Sequence, residues 1–387
     1  MKIRILSFTK QGSRLNQNIT KELLRLGHDC ECYGMEKYAL EYDLLPMKES
    51  LTIWSQKAFE ECEGIIYIGA CGIAVRTIAP YVKDKFLDPC VLSVDEKGEY
   101  IIPLLSGHVG GGNELAYCIG KITGGIPVIS TATDLNEVFA VDVFAKKNGL
   151  IIGDRVKAKE ISAYLLDGLG NRDKVSNQDR VVSQGKAVDQ DRAMNSSTRI
   201  RLKTDFYIDG NVPKEIQIIW SDTKNEKSFV QPLDETDIRI SIYNPNDTEQ
   251  KALSLIPTVT CLGIGCRKGV KAEDLESFIL EQLEKENIQI QSVKQIGSID
   301  LKKEEEAILF LSEKYQWKFI TYSLEELQKA PGHFVESDFV KTVAGVGNVC
   351  ERAAVLVSNH GTLIMNKTAK NGMTLAIAVA DRRLYFE

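Results

Sequence analysis

The sequence predicts an α/β chain in three parts: an N-terminal domain on a mainly parallel sheet at 1–140, a small α/β middle domain at 141–250, and a C-terminal α/β domain at 258–387. Three observations carry this expectation. Short apolar runs of strand length alternate with amphipathic runs of helix length, the pattern of a parallel sheet with helices on both faces. Twice an apolar run enters a glycine-rich turn that leads to a helix, at 106–116 and at 263–285. Between them, residues 170–198 are poor in apolar clusters and rich in Asp, Asn, Gln, Ser, Lys and Arg, which reads as a long mobile loop.

The elements follow in order. Residues 2–8 read as a strand, and 16–26 as a helix with leucines and isoleucine on one face, closed by Gly27. A second strand is expected at 28–33, a less regular stretch at 35–50 and a helix at 51–62. The apolar run 64–68 is a short strand, broken by glycines at 69–72 before a helix at 73–82. Strands at 89–94 and 100–105 flank Asp95-Glu96-Lys97-Gly98, a hairpin turn. The glycine turn 106–112, a helix at 113–122 and a strand at 126–130 come next. Ligands on such sheets bind beyond the carboxyl ends of strands. The loops 69–72, 107–112 and 131–134 all follow strands and are expected to converge on one crevice.

Helices at 142–150 and 157–166, the second stopped by Gly168, lead into the middle domain. Its strands are 199–208, 215–220 and 237–242, with a turn at 209–211. A polar connector from Asn244 to about Pro257 is expected to separate independently folding halves. Beyond it come a strand at 258–262, a glycine turn at 263–269 and a helix at 272–285. Then follow a strand at 288–299, a helix at 303–315, a strand at 318–322 and a helix at 324–329. A helix opens within 342–357, and strands at 362–366 and 373–379 close the domain.

Composition bounds the function. A chain of 387 residues with 43% hydrophobic and 26% charged residues holds two or three ordinary globular domains. The net charge of −6 gives no overall basic field and argues against nucleic acid. A polyanionic ligand must therefore be met by local cations and helix ends. No apolar run approaches the roughly 20 residues of a membrane span, and the strand-like start has no signal-peptide pattern. Nine cysteines without a CxxC pair point to reduced thiols and a cytoplasmic protein. Cys30 and Cys32 read as strand residues, and no metal site is expected.

The stretch SGHVGGGNELA at 106–116 is the focus. Gly107, Gly110, Gly111 and Gly112 remove Cβ atoms where a ligand could reach the backbone. The first amides of the following helix lack helical partners and carry the positive end of its dipole, which suits a carboxylate or phosphate. A tight βα turn with an incidental histidine fits equally. SGHVGGGNELA resembles the hallmark of the cobalt-precorrin-5A hydrolases of anaerobic cobalamin biosynthesis, the CbiG family. GACGIAVRTIAPYVKDKFLDP at 69–89 and VISTATD at 128–134 resemble the same family. GIGCRKG, GSIDLKKEE, VGNVCERAA and NKTAKNGMTLAIA are similar to its C-terminal domain, a relative of which stands alone in the aerobic route. Only the middle of the chain is poorly matched.

The resemblance implies a cobalt-bearing contracted tetrapyrrole as substrate, with no cofactor beyond the cobalt it carries. Water opens a δ-lactone, and the extruded carbon leaves with its methyl as acetaldehyde. Such a reaction needs a base for water, donors for the oxyanion, and a base for the freed hydroxyl. His108 fits the base, since an ordinary imidazole titrates near neutrality. The amides of Gly110, Gly111, Gly112 and Asn113 fit an oxyanion or a peripheral carboxylate. Glu114 is a catalytic candidate that the helix dipole alone would also place there. Asp134 fits an orienting group or a base, or a helix cap with Thr131 or Thr133. Gly72, Thr131 and Thr133, in the loops after strands, are also expected to bind substrate. Arg76, four residues after Gly72, fits a carboxylate clamp or a surface arginine. Arg267, Lys268 and Lys367 flank turns and fit either carboxylate binding or solvated charge. Cys266 and Cys350 read as packing residues, and His333 and His360 as loop and turn residues.

An alternative from another class is a carrier that binds a corrinoid intermediate without changing it. A nucleotide-dependent enzyme ranks last, since neither glycine loop has the phosphate-loop or dinucleotide order. Transient contacts with other corrin-pathway enzymes and a homodimer both stay open.

Overall fold

Strand β1 (Lys2–Ser7) pairs in parallel with β2 (Asp29–Gly34) on one side and with β4 (Gly64–Ile68) on the other. That placement starts a seven-stranded sheet in the order β3-β2-β1-β4-β5-β6-β7, with β3 at Leu45–Pro46, β5 at Cys90–Val94, β6 at Tyr100–Leu105 and β7 at Ile126–Pro127. The structure is a computed structural model. It describes residues 1–84, 86–130, 138–178, 199–220, 236–334 and 347–386, with backbone alone at 167–178. Compact units run from Met1 to Val143 and from Phe144 to Glu387.

In the first unit, alternate strand residues face two cores. Ile3, Ile5, Ile66, Ile68 and Leu92 pack with Ile19 and Leu23 of α1 (Lys10–Arg25) and Leu115 and Ile119 of α5 (Gly112–Thr123). Leu6, Ile65, Tyr67 and Val91 face the other way, onto Trp54 and Ala58 of α3 (Leu51–Glu61) and Ala74 and Ile78 of α4 (Cys71–Ile78). The expected layering, helices on both faces of a mainly parallel sheet, is what the structure shows. Buried Tyr67 shares a 2.7 Å hydroxyl–hydroxyl hydrogen bond with Ser55, so neither polar group is stranded.

Differences from the sequence expectations have local causes. Helix α1 begins six residues early, because Thr9 caps it by accepting a hydrogen bond from the Gly12 amide at 3.0 Å. Helix α4 begins at Cys71, so Gly72 is a helical residue rather than part of a break. A four-residue helix, α2 (Glu36–Ala39), precedes β3 in the stretch read as less regular. Strand β7 is two residues long, not five.

Among its described residues, the second unit holds two five-stranded sheets and one two-stranded sheet. The first has the order β11-β9-β12-β13-β8, with β8 at Leu150–Ile152, β9 at Ile200–Thr204, β11 at Ile216–Trp220, β12 at Ile238–Ile240 and β13 at Leu253–Pro257. Part of the expected connector is therefore a strand. Leu253, Leu255 and Ile256 are buried in β13, and the polar segment before it had hidden their alternation. The helix expected to stop at Gly168 runs from Arg155 to Gln178. A glycine inside a helix is disfavoured by only about 1 kcal/mol against alanine, and the polar residues after it continue the turn. The remainder of the expected mobile loop, 179–198, lies outside the described residues.

The second five-stranded sheet has the order β16-β15-β14-β18-β17, with β14 at Thr260–Cys266, β15 at Val293–Ile299, β16 at Lys318–Tyr322, β17 at Thr362–Lys370 and β18 at Met373–Val379. Helices Ala272–Lys285 and Glu306–Tyr315 cover one face, and helix Cys350–Val357 packs on the other. Gly263 and Gly265 lie within β14, not in a turn after it. Gly263 pairs with Gly297 of β15, and both sit under helix Cys350–Val357. A methyl built on Gly263 would lie 1.8 Å from the Cys350 carbonyl oxygen, and one on Gly297 2.7 Å from that of Ala353. The two glycines let the helix backbone rest directly on the strands.

Among the described residues, strand β10 (Tyr207–Gly210) pairs with one strand, β19 (Arg383–Phe386), in parallel. Asp209 and Gly210, read as part of a turn, are strand residues within it. Phe386 stacks on Phe144 with ring centroids 4.5 Å apart. Asn148 holds Tyr385 from both sides, accepting from its amide at 2.8 Å and donating to its carbonyl at 3.1 Å.

Candidate active site

The β5–β6 hairpin decides where the glycine loop lies. Strand β6 runs antiparallel to β5, with Val94 opposite Ile101 and Val91 opposite Leu105. Residues 106–112 therefore emerge at the edge where β4 and β5 begin, beside Cys90. The loop 69–72 leaves β4 at the opposite edge, next to the end of β5, where the Gly69 amide donates to the Val94 carbonyl at 2.8 Å. A five-residue strand separates the two edges by about 17 Å. The expected single crevice for both loops does not form. The block at 69–89 reaches the glycine loop by its other end, where the Ser106 hydroxyl donates to the Asp88 carbonyl at 3.1 Å. Asp88 Oδ2 in turn accepts from the amides of Lys83 and Asp84, at 2.8 and 3.0 Å.

The loop is closed mainly by its own backbone. Ser106 takes a left-handed φ of 50°, and its carbonyl accepts from the Gly112 amide at 3.3 Å. The carbonyls of Gly107 and His108 accept from the amides of Asn113 and Gly111, at 2.7 and 3.1 Å. Three of the four amides assigned to an oxyanion thus bond within the loop. The glycines have the same explanation. A methyl on Gly110 would lie 2.4 Å from the Ser106 oxygen, one on Gly107 2.6 Å from Asn113 Oδ1, and one on Gly112 3.1 Å from the Gly107 Cα. These three make room for the loop itself. Gly111, at φ 83°, needs glycine for its backbone angle and has the Glu114 carboxylate 3.8 Å from its open side.

His108 is presented by this loop and is mostly buried, its side chain 18% exposed. Its Nε2 lies 3.6 Å from Oδ1 of Asp142, whose side chain is 15% exposed. Asp142 stands in the first turn of helix Val141–Lys147 and accepts from the Val143 amide at 3.0 Å. Sequence reasoning read Asp142 only as the opening of a helix. No spacing rule links it to His108, and only the fold brings them together. Nothing in the sequence marks Ser106 either, the one non-glycine residue of the loop in a left-handed conformation. Glu114 is exposed in the first turn of α5. Asp134, Thr131 and Thr133 lie outside the described residues.

The remaining candidates are dispersed. Arg76 is exposed on α4, and its guanidinium folds back over Gly72, with Nη1 3.4 Å from where a methyl there would sit. Arg267, Lys268 and Lys367 belong to the second unit. Arg267 and Lys268 are exposed after β14, and the Arg267 amide donates to the Gly372 carbonyl at 2.9 Å. Lys367, on β17, donates its amide to buried Glu351 at 2.7 Å. Burial pushes the Cys266 and Cys350 thiols up to about 11, which fits packing residues rather than nucleophiles. Among the described residues, no group of three His, Cys, Asp or Glu side chains is placed to hold a metal ion, and no helix is long and apolar enough to cross a membrane.

Comparison with known proteins agrees on one family. The family described as Cobalamin synthesis G N-terminal matches residues 54–134, and Cobalamin synthesis G C-terminus matches residues 260–378. Over 353 residues the chain is 32% identical to the cobalt-precorrin-5A hydrolase of Salmonella typhimurium, covering 90% of this chain and 91% of that protein. It is 28% identical over 386 residues to the cobalt-precorrin-5A hydrolase of Priestia megaterium, covering 97% and 94%. The N-terminal match includes His108 and its whole loop, and stops short of Asp142.

Proposed function

Because the chain belongs to the cobalt-precorrin-5A hydrolase family, we propose that it opens the δ-lactone of a cobalt-bearing contracted tetrapyrrole with water and releases acetaldehyde. His108 is the general base in this reading. It takes a proton from water as the oxygen attacks the lactone carbonyl, and the carbonyl–ring oxygen bond breaks as the tetrahedral intermediate collapses. The freed hydroxyl then loses its proton, its carbon becomes the aldehyde carbon, and the bond to the macrocycle breaks with its electron pair passing into the conjugated ring. No net oxidation or reduction is required of the protein, and the cobalt belongs to the substrate.

The observation that carries the proposal is the placement of His108. The loop's own backbone bonds fix it at the N-terminus of α5, against a carboxylate. Glu114 is the second acid–base candidate, at the same helix start. Arg76, Arg267, Lys268 and Lys367 are exposed or half-buried cations suited to the substrate's peripheral carboxylates, and a protein of net charge −6 has to supply such groups locally. The same reading places the protein in the cytoplasm, where its nine thiols stay reduced. Incubation with cobalt-precorrin-5A under anaerobic conditions, with acetaldehyde trapped and quantified, tests it. Stoichiometric acetaldehyde is the expected result. Tight binding of the tetrapyrrole with no acetaldehyde would make the protein a carrier.

A further inference from the structure

We propose that Asp142 is the positioning residue for His108: it fixes which ring nitrogen carries the proton and steadies the imidazolium formed during turnover. The proposal rests on reading His108 as the base. Nε2 is buried and faces Asp142 Oδ1 at 3.6 Å. An ionised carboxylate accepts from an N–H and repels a lone pair, so it draws the ring proton onto Nε2. The neutral ring then carries its lone pair on Nδ1, the nitrogen that takes the proton from water. On proton transfer Nδ1 gains the hydrogen, Nε2 keeps its own, and the new positive charge lies against Asp142. The separation is longer than a hydrogen bond and within ion-pair range. A contraction of under 1 Å completes the bond, the kind of tightening that substrate binding produces at such sites.

The placement of Asp142 supports this role. The residue opens helix Val141–Lys147, and Oδ1 is already aimed by the hydrogen bond it accepts from the Val143 amide. Val141, next to the carboxylate in the same helix, is fully buried and anchors it. His108 is held from the other side by the loop closure between its own carbonyl and the Gly111 amide. Two separately anchored elements thus present the two groups to each other, as a positioning pair requires.

The test separates this proposal from the one beneath it. With ¹⁵N-labelled histidine, the four histidines give few enough signals to assign His108 by its loss in His108→Ala. The native protein should show the Nε2–H tautomer at neutral pH. Asp142→Asn, nearly the same shape, should lose that preference, and Asp142→Glu should keep it. In turnover, Asp142→Asn should lower kcat by about ten- to a hundredfold with KM little changed, less than the loss on removing the imidazole itself. Asp142→Glu should recover part of the rate. A native Nδ1–H tautomer, a tautomer indifferent to Asp142→Asn, or an unchanged kcat in that variant overturns the proposal. Failure of the underlying reading shows differently, as a His108→Ala protein that still releases acetaldehyde at the native rate.

Discussion

Replacing Gly263 by alanine should cost far more stability than the loss of a glycine ordinarily does. A methyl there would stand 1.8 Å from the Cys350 carbonyl oxygen and 2.6 Å from the Ala354 amide nitrogen, where ordinary contacts begin near 3.4 Å. Both obstacles are helix backbone, so no rotamer change relieves them. Helix Cys350–Val357 would have to lift by roughly 1.5 Å, parting Ala353 and Ala354 from the sheet they cover. Overpacking of this kind costs up to about 3 kcal/mol, and the upper end applies because the clash is rigid. At 2–4 °C per kcal/mol for a unit of this size, Tm should fall by roughly 6–12 °C. Gly297→Ala, with its clash at 2.7 Å, should follow at about 2 kcal/mol. Gly269→Ala is the control: its methyl meets nothing within 4 Å, and only its φ of 70° matters, worth about 1–2 kcal/mol. Urea and thermal melts of the three variants give the ranking. If Gly263→Ala is as stable as Gly269→Ala, the argument from close helix–strand approach is wrong.

His108→Ala should cut acetaldehyde release by about a hundred- to ten-thousandfold, with Tm nearly unchanged, measured by aldehyde trapping beside a thermal melt. Glu249 gives a pH dependence. Burial alone would raise its carboxyl, but the Lys203 hydrogen bond and the nearby Arg239 charge outweigh burial and hold it below the usual carboxylate range. A folded value below the unfolded one means that this stabilisation is present above about pH 4.3 and fades as pH falls through the depressed value. Urea midpoints from pH 6 downward should show the loss. Glu249→Gln should flatten that limb while costing about 3 kcal/mol at neutral pH, since Arg239 is left buried without its carboxylate. Phe386→Ala, which removes the ring stacked on Phe144, should cost about 3 kcal/mol in a denaturant melt. Iodoacetamide at pH 8 should modify Cys266 and Cys350 slowly, both thiols being pushed up to about 11 by burial, and mass mapping of the time course would show it.

Local signals are legible in the sequence where they are self-contained. The helices at 272–285 and 324–329 and the strand at 318–322 match their sequence boundaries, because amphipathic spacing and the Ser323 capping box leave little choice. The β5–β6 hairpin is legible from its turn. The direction it imposes on the loop after β6 is not, because strand direction around a sheet depends on every crossover before it. That reversal parts the loops at 69–72 and 106–112, which the sequence pattern had brought together. Glycine was ambiguous for a related reason. In a string of residues Gly263 looks like Gly111, yet one admits a helix against a strand and the other supplies a left-handed angle. The pairing of His108 with Asp142 and of β10 with β19 joins segments far apart in sequence, and no periodicity reports such contacts.

The pairing of β10 with β19 has a consequence for the order of folding. Its two strands come from segments far apart in sequence, so their contact closes a long loop whose entropy has to be offset before the pairing adds stability. Pairings between nearer segments, such as β14 with β15 and β17 with β18, can form first. A substitution that weakens only the β10–β19 contact should therefore speed unfolding and leave the folding rate nearly unchanged.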